Sequence, residues 1–137
     1  MLVTKPAPDF KAQAVMPDNS FKEINLSDYK GKKIVLVFYP AAFTGVCQTE
    51  LCNFRDNLSK FSNVNSIVIG ISVDYPFSVK EFQEKNNIPF LLLCDYNKTV
   101  IKQFGIEYQN FLDLDGYTVA TRSVFIIDEE GVVRYKW

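Results

Sequence analysis

Ile34-Val35-Leu36-Val37-Phe38-Tyr39 is a run of six apolar and aromatic residues, three of them β-branched. A strand with one wet face alternates polar and apolar side chains. A continuous run of this kind is a strand buried on both faces, as in the centre of a parallel sheet. Ser66 to Val73 repeats the pattern. Phe90 to Cys94 and Ser123 to Asp128 are a third and a fourth candidate strand. Glu129-Glu130-Gly131 then turns the chain, and Val132 to Trp137 alternates like the second arm of a hairpin.

Helices fit between these strands. Cys47, Leu51, Phe54, Leu58 and Phe61 recur at helical spacing and form one apolar stripe. Ser78 to Asn86 reads as a charged helix ending before Asn87-Ile88-Pro89. Asn97 is placed to cap a short helix through Val100, Ile101 and Phe104, with Gly105 as its stop. Residues 1–33, with the turn signal Pro17-Asp18-Asn19-Ser20, read as an N-terminal hairpin. The order β-α-β-α-β-α-β-β implies an α/β fold with a mixed central sheet and helices on both faces. The 137 residues are expected to form one domain, 1–137. The order also calls for one more helix after the hairpin, and the sequence ends at Trp137. The expectation is an open face, a face covered by a partner, or a shortened form of a longer protein.

Composition narrows the function. Fifteen Lys and Arg against sixteen Asp and Glu leave a net charge of −1, so nothing draws the chain as a whole to nucleic acid or anionic lipid. The N-terminus lacks a signal-peptide core, and no apolar run approaches the ~18 residues of a spanning helix. The expected compartment is the cytoplasm, where paired cysteines are more often catalytic or metal-binding than structural. The absence of histidine removes His-based triads and His-containing zinc sites.

Two of the three cysteines, Cys47 and Cys52, follow the first apolar run. Thr44 is a good N-cap residue. With Thr44 as cap, Cys47 is the third helical residue and meets unpaired backbone donors and the positive end of the helix dipole. A thiolate is favoured there, and the thiolate is the reactive form. Pro40 has no N–H and can shield the thiol without competing for its hydrogen bonds. Together Pro40, Thr44 and Cys47 give the pattern P-x-x-x-T-x-x-C.

That pattern resembles the peroxiredoxins, thiol-dependent peroxidases of thioredoxin-like fold. Pro6-Ala7-Pro8-Asp9-Phe10 is similar to their N-terminal signature, and Arg122-Ser123-Val124-Phe125-Ile126-Ile127-Asp128 to their arginine-bearing strand. The spacing Cys47-x-x-x-x-Cys52 resembles the bacterioferritin-comigratory, or PrxQ-like, branch. The resemblance implies a peroxidatic Cys47 and a Thr44 hydroxyl that orients the peroxide. Arg122 would stabilise thiolate and leaving oxygen, Pro40 would exclude water, and Glu50 would orient Arg122. It also implies that Cys52 resolves the Cys47 sulfenic acid as an intramolecular disulfide, reduced in turn by thioredoxin or a similar dithiol protein. The substrates would be hydrogen peroxide or alkyl hydroperoxides, the cofactors none, and the assembly a monomer or homodimer.

Five residues along a helix rise about 7.5 Å and turn about 140°, so the two Cα atoms would lie roughly 8.6 Å apart. That exceeds the ~7 Å limit for a disulfide. Cys52 also shares a face with Gln48, Arg55 and Ser59, away from the stripe of Cys47. The first turns must unwind before the bond can close. Cys94 ends an apolar strand and reads as a buried structural thiol. The alternatives are a peroxide-responsive sensor or holdase with the same thiol chemistry, or a one-cysteine peroxidase with Cys52 a bystander. A thioredoxin-type oxidoreductase would want C-x-x-C, and a zinc module four ligands; the sequence offers neither.

Overall fold

The computed structural model describes residues 3–43, 45–62 and 65–137; the side chains of residues 46–48 and 61–62 lie outside that description. The strands are β1 (Lys11–Val15), β2 (Phe21–Asn25), β3 (Lys33–Phe38), β4 (Ser66–Ser72), β5 (Leu92–Cys94), β6 (Glu107–Tyr108), β7 (Val119–Ala120), β8 (Ser123–Ile127) and β9 (Val133–Lys136). The α-helices are α1 (Gly45–Asp56), α2 (Leu58–Ser62), α3 (Pro76–Lys85) and α4 (Thr99–Gln103). Seven strands form one sheet in the order β2-β1-β5-β4-β3-β8-β9.

The apolar runs are where the sheet is most deeply covered. β3 pairs parallel with β4 and antiparallel with β8, and residues 34–38 are all buried. β4 pairs parallel with β5. Alternate side chains then serve two cores. Ile34, Leu36, Phe38, Ile69, Ile71 and Phe125 join Val100, Ile101 and Phe104 of the α4 side. Val35, Val37, Val68 and Leu92 face Leu51 of α1 and Val79 and Phe82 of α3. The sheet is therefore mixed, with helices on both faces, as expected.

Local chemistry sets the boundaries. The N-terminal hairpin turns where expected: Asn19 has φ +69°, and the Asp18 carboxylate accepts the Ser20 N–H at 3.0 Å. Asp128 closes the last hairpin by accepting the Glu130 and Val132 N–H groups, while Gly131 takes φ +85°. The Pro6-Ala7-Pro8 segment runs beside this hairpin, with the Thr4 and Ala7 N–H groups bonded to the Val133 and Gly131 carbonyls.

Four details differ from the sequence reading. The helix carrying the cysteines breaks at Asn57, whose amide turns back to the Asn53 carbonyl, so α2 is a separate turn. Asn97 does not cap α4. Asp95 does, its two carboxylate oxygens accepting the Val100 and Ile101 N–H groups at 3.0 and 2.9 Å. A buried carboxylate that takes two free helix donors outcompetes an exposed Asn, whose side chain reaches Thr99 at 3.3 Å. α3 starts at Pro76, two residues earlier than expected, because proline fits the first helical position. Residues 107–120, unassigned from sequence, hold the two-stranded β6–β7 ribbon.

Candidate active site

β3 delivers the chain to Pro40 at one end of the sheet. Tyr39 continues the strand, donating its N–H to the Ile71 carbonyl at 3.1 Å, and is fully buried with its ring stacked on Phe82. Pro40 is buried. Phe43 has φ +63° and lays its ring edge-on against Phe82. α1 begins at Gly45. Thr44 and the Cys47 side chain lie outside the described residues, so their expected geometry is not seen; the Cys47 backbone belongs to α1.

The opposite wall comes from β8. Phe38 pairs with Ser123 in the antiparallel β3–β8 register. Continuing that register by one residue sets Arg122 across from Tyr39. Residues 82 positions apart in sequence, Pro40 and Arg122, thus meet at the same end of the sheet. Glu50, on α1, is half-buried, and its Oε1 has no hydrogen-bond partner among the described residues. Burial pushes the Glu50 carboxyl above the ordinary carboxylate range, and the Arg122 guanidinium pulls it back down. The two groups therefore lie within electrostatic reach.

Sequence reading missed the brace under this loop. Asp74, just past the C-terminal end of β4, accepts the Ala42 N–H at 2.7 Å and the Ser72 hydroxyl at 2.8 Å. Ala42 lies midway between Pro40 and Thr44. Burial raises the Asp74 carboxyl above its ordinary value against the opposing pull of these two bonds. The available signal was position: a carboxylate at the carboxyl end of a parallel strand is where α/β sheets place functional groups.

Cys52, on the face that sequence placed away from the Cys47 stripe, is not left in solvent. It is half-buried and packs against the same core as Leu51 and Phe54, because that side of α1 meets the end of α3. Its Sγ lies 3.9 Å from the Asn86 side-chain oxygen. One turn on, Arg55 donates to the Asn86 main-chain carbonyl. α1 is continuous through both cysteine positions, so the geometric bar to a disulfide applies to the structure as it stands. Cys94 is buried in β5, its thiol pushed up to about 12 by burial and by Asp74. A thiol that titrates so high stays protonated and unreactive.

An arginine, a carboxylate, a buried proline and the start of a cysteine-bearing helix come together at this end of the sheet, a set of groups suited to stabilising negative charge. The family model described as AhpC/TSA family matches residues 3–136. Peroxiredoxin-1 of Gallus gallus is 40% identical, the match covering 96% of this chain and 67% of that protein. A bcp-like peroxiredoxin of Coxiella burnetii is 38% identical over 89% of this chain and 81% of its own. The crystal structure of reduced Plasmodium vivax 2-Cys peroxiredoxin superposes with a TM-score of 0.89 at 33% identity, covering 100% of this chain and 85% of that one. The mitochondrial thioredoxin-dependent peroxide reductase of Drosophila melanogaster is longer, and this chain spans 56% of it.

Proposed function

This chain belongs to the AhpC/TSA family, the peroxiredoxins, which are thiol-dependent peroxidases; we propose that Cys47 is its attacking thiolate and Cys52 its resolving thiol. The convergence of Pro40, the start of α1 and Arg122 at one end of the β3–β8 pair is the observation that carries this reading. The substrates are hydrogen peroxide and organic hydroperoxides. The Cys47 sulfur attacks one peroxide oxygen, the O–O bond breaks, and hydroxide or alkoxide leaves, to be protonated by solvent. Thr44 orients the peroxide. Arg122, held by Glu50, stabilises the thiolate and the charge growing on the leaving oxygen. Pro40 keeps water from the sulfenic acid.

Cys52 then attacks the Cys47 sulfur. The S–S bond forms, the S–O bond breaks, and hydroxide leaves with the Cys52 proton as water. Thioredoxin or a similar dithiol protein reduces the disulfide by exchange and leaves oxidised itself. The chain works as one thioredoxin-like unit, as a monomer or homodimer, in the PrxQ-like manner. Among the described residues no helix is long and apolar enough to cross a membrane; the proposed compartment is the cytoplasm.

Hydrogen peroxide consumption with thioredoxin supplied tests the assignment. Cys47→Ser is expected to abolish it, and full activity in that variant overturns the reading. Cys52→Ser is expected to keep one turnover and lose the cycle. The half-burial of Cys52 against α3 favours one second reading, a one-cysteine peroxidase, which undiminished cycling in Cys52→Ser would establish.

A further inference from the structure

The loop that joins β6 to β7 presents apolar side chains to solvent. Leu112 is 66% exposed and Leu114 52%, and Tyr108 is exposed as well. Asn110, Leu112 and Asp113 hold left-handed φ values of +55°, +57° and +59°. That backbone is unfavourable for leucine, and residues held in it collect at binding and switch segments. The loop is nevertheless tightly built. Phe111 donates its N–H to the Tyr117 carbonyl at 2.9 Å, and the Gly116 N–H reaches the Asn110 side-chain oxygen at 3.0 Å. The Phe111 ring meets those of Tyr108 and Tyr117 edge-on, and Phe111 and Tyr117 pack on the core beneath. The aromatic residues hold the loop in place while the two leucines face outward.

This loop stands at the same end of the sheet as Arg122. The Thr121 N–H bonds to the Ile106 carbonyl at 2.7 Å, which anchors the β6–β7 ribbon one residue before Arg122. Burial and the Asp74 carboxylate push the Tyr117 phenol up, so the base of the loop is within electrostatic reach of the group that braces Ala42. Charge narrows what the tip can meet. Glu107, Asp113 and Asp115 are exposed along the loop, and residues 103–121 contain no Lys or Arg. Three carboxylates repel a fatty-acid hydroperoxide or an anionic lipid surface. They suit a protein surface with an apolar centre and a basic rim.

We propose that the 107–116 loop is the docking surface for the dithiol protein that reduces the oxidised enzyme, with Leu112 and Leu114 as its apolar centre and Glu107, Asp113 and Asp115 as its charged rim. The inference rests on the reading above, in which a Cys47–Cys52 disulfide is what the reductant attacks. A loop already held in one conformation loses little freedom on binding, so a small contact is enough for a transient complex.

Steady-state consumption of hydrogen peroxide tests the surface, with thioredoxin or glutaredoxin as reductant, whichever turns the wild type over faster. In the double variant Leu112→Asn, Leu114→Ser the kcat/KM for that reductant is expected to fall about tenfold. Asparagine suits the left-handed backbone at position 112, so this variant removes the apolar tip and keeps the loop. In Glu107→Lys, Asp115→Lys a fall of about the same size is expected, and the wild type's decline in kcat/KM with added salt is expected to disappear. Single-turnover oxidation by hydrogen peroxide, disulfide formation and reduction by dithiothreitol are expected to match wild type in both. An unchanged kcat/KM for the reductant in either variant overturns the proposal. Slowed reduction by dithiothreitol also overturns it, since the effect would then lie in the disulfide and not in docking. So does a variant that is slow with cumene hydroperoxide and normal with hydrogen peroxide, which would make the loop a wall for the substrate's alkyl group. A wild type that forms no Cys47–Cys52 disulfide, or that neither dithiol protein turns over, overturns the reading of Cys52 and its reductant. That outcome is distinct from a normal disulfide that the variants pass to the reductant at an unchanged rate.

Discussion

Removing the Asp74 carboxylate isolates what holds the loop ahead of α1. In Asp74→Ala the Ala42 N–H and the Ser72 hydroxyl lose the acceptor they share at 2.7 and 2.8 Å. Each stranded donor in a part-buried site costs about 1–2 kcal/mol, so roughly 2–4 kcal/mol is lost. Relief of the buried carboxylate offsets part of this, and about 2 kcal/mol of net destabilisation is expected. An unfolding entropy of about 2.1 cal/mol/K per residue over this chain turns that into a fall in Tm of about 7 °C. A loop released by about an ångström also displaces the start of α1, so, on the role proposed for Cys47, the rate of its oxidation is expected to fall about tenfold.

Asp74→Asn separates the brace from the charge, since its amide oxygen still accepts both bonds. Burial raises the Asp74 carboxyl in the folded chain. A carboxyl raised on folding contributes stability that is fully present below its unfolded value and lost as pH rises through its folded value. Relative to wild type, Asp74→Asn is therefore expected to gain stability as pH rises from about 4 toward neutrality. Thermal unfolding across that range and stopped-flow oxidation are the two assays. An Asp74→Ala protein with unchanged Tm and unchanged oxidation rate refutes the brace.

Three further outcomes are specific. A Cβ at Gly70 would lie 2.6 Å from Leu92 Cδ2, 3.4 Å from Tyr39 Cε1 and 3.5 Å from Leu51 Cδ2, all on fully buried side chains; Gly70→Ala is expected to cost about 1–3 kcal/mol in urea unfolding. Asp95→Ala removes both bonds to the α4 start and is expected to cost about 1–2 kcal/mol, whereas Asn97→Ala should stay within about 0.5 kcal/mol. Equal losses in the two would return the cap to Asn97. Cys94, with its thiol pushed up to about 12, is expected to resist iodoacetamide at pH 8 in the folded protein and to react in urea. Prompt native labelling, read by mass spectrometry, would contradict its burial.

Much of the frame was legible because it rests on local pattern. Continuous apolar runs announced β3 and β4, since a strand buried on both faces does not alternate; the run of β8 was equally legible, although its Val124 and Ile126 are only half-buried. The turn at Asp18-Asn19 and the helix stop at Gly105, φ +67°, follow from residues that tolerate a left-handed backbone. The β6–β7 ribbon was not legible, because two-residue strands carry no periodicity to detect. Asp95 displaced Asn97 as the cap for a related reason: its advantage is burial, and burial is a property of the packed chain.

At the site the same division holds. Sequence alone determined that Cys47 lies on a helix after a buried strand, and that five residues of helix hold it too far from Cys52 to bond. The family motifs are short and contiguous, so they survive being read without a fold. Only the tertiary structure decided what faces what. The β3–β8 register brought Arg122 to the end of β3, the turn after β4 put Asp74 under Ala42, and the end of α3 met Cys52 and Arg55. Each of these pairs residues more than thirty positions apart. Their meeting depends on how strands order themselves in the sheet and how helices pack on it, which no local pattern specifies.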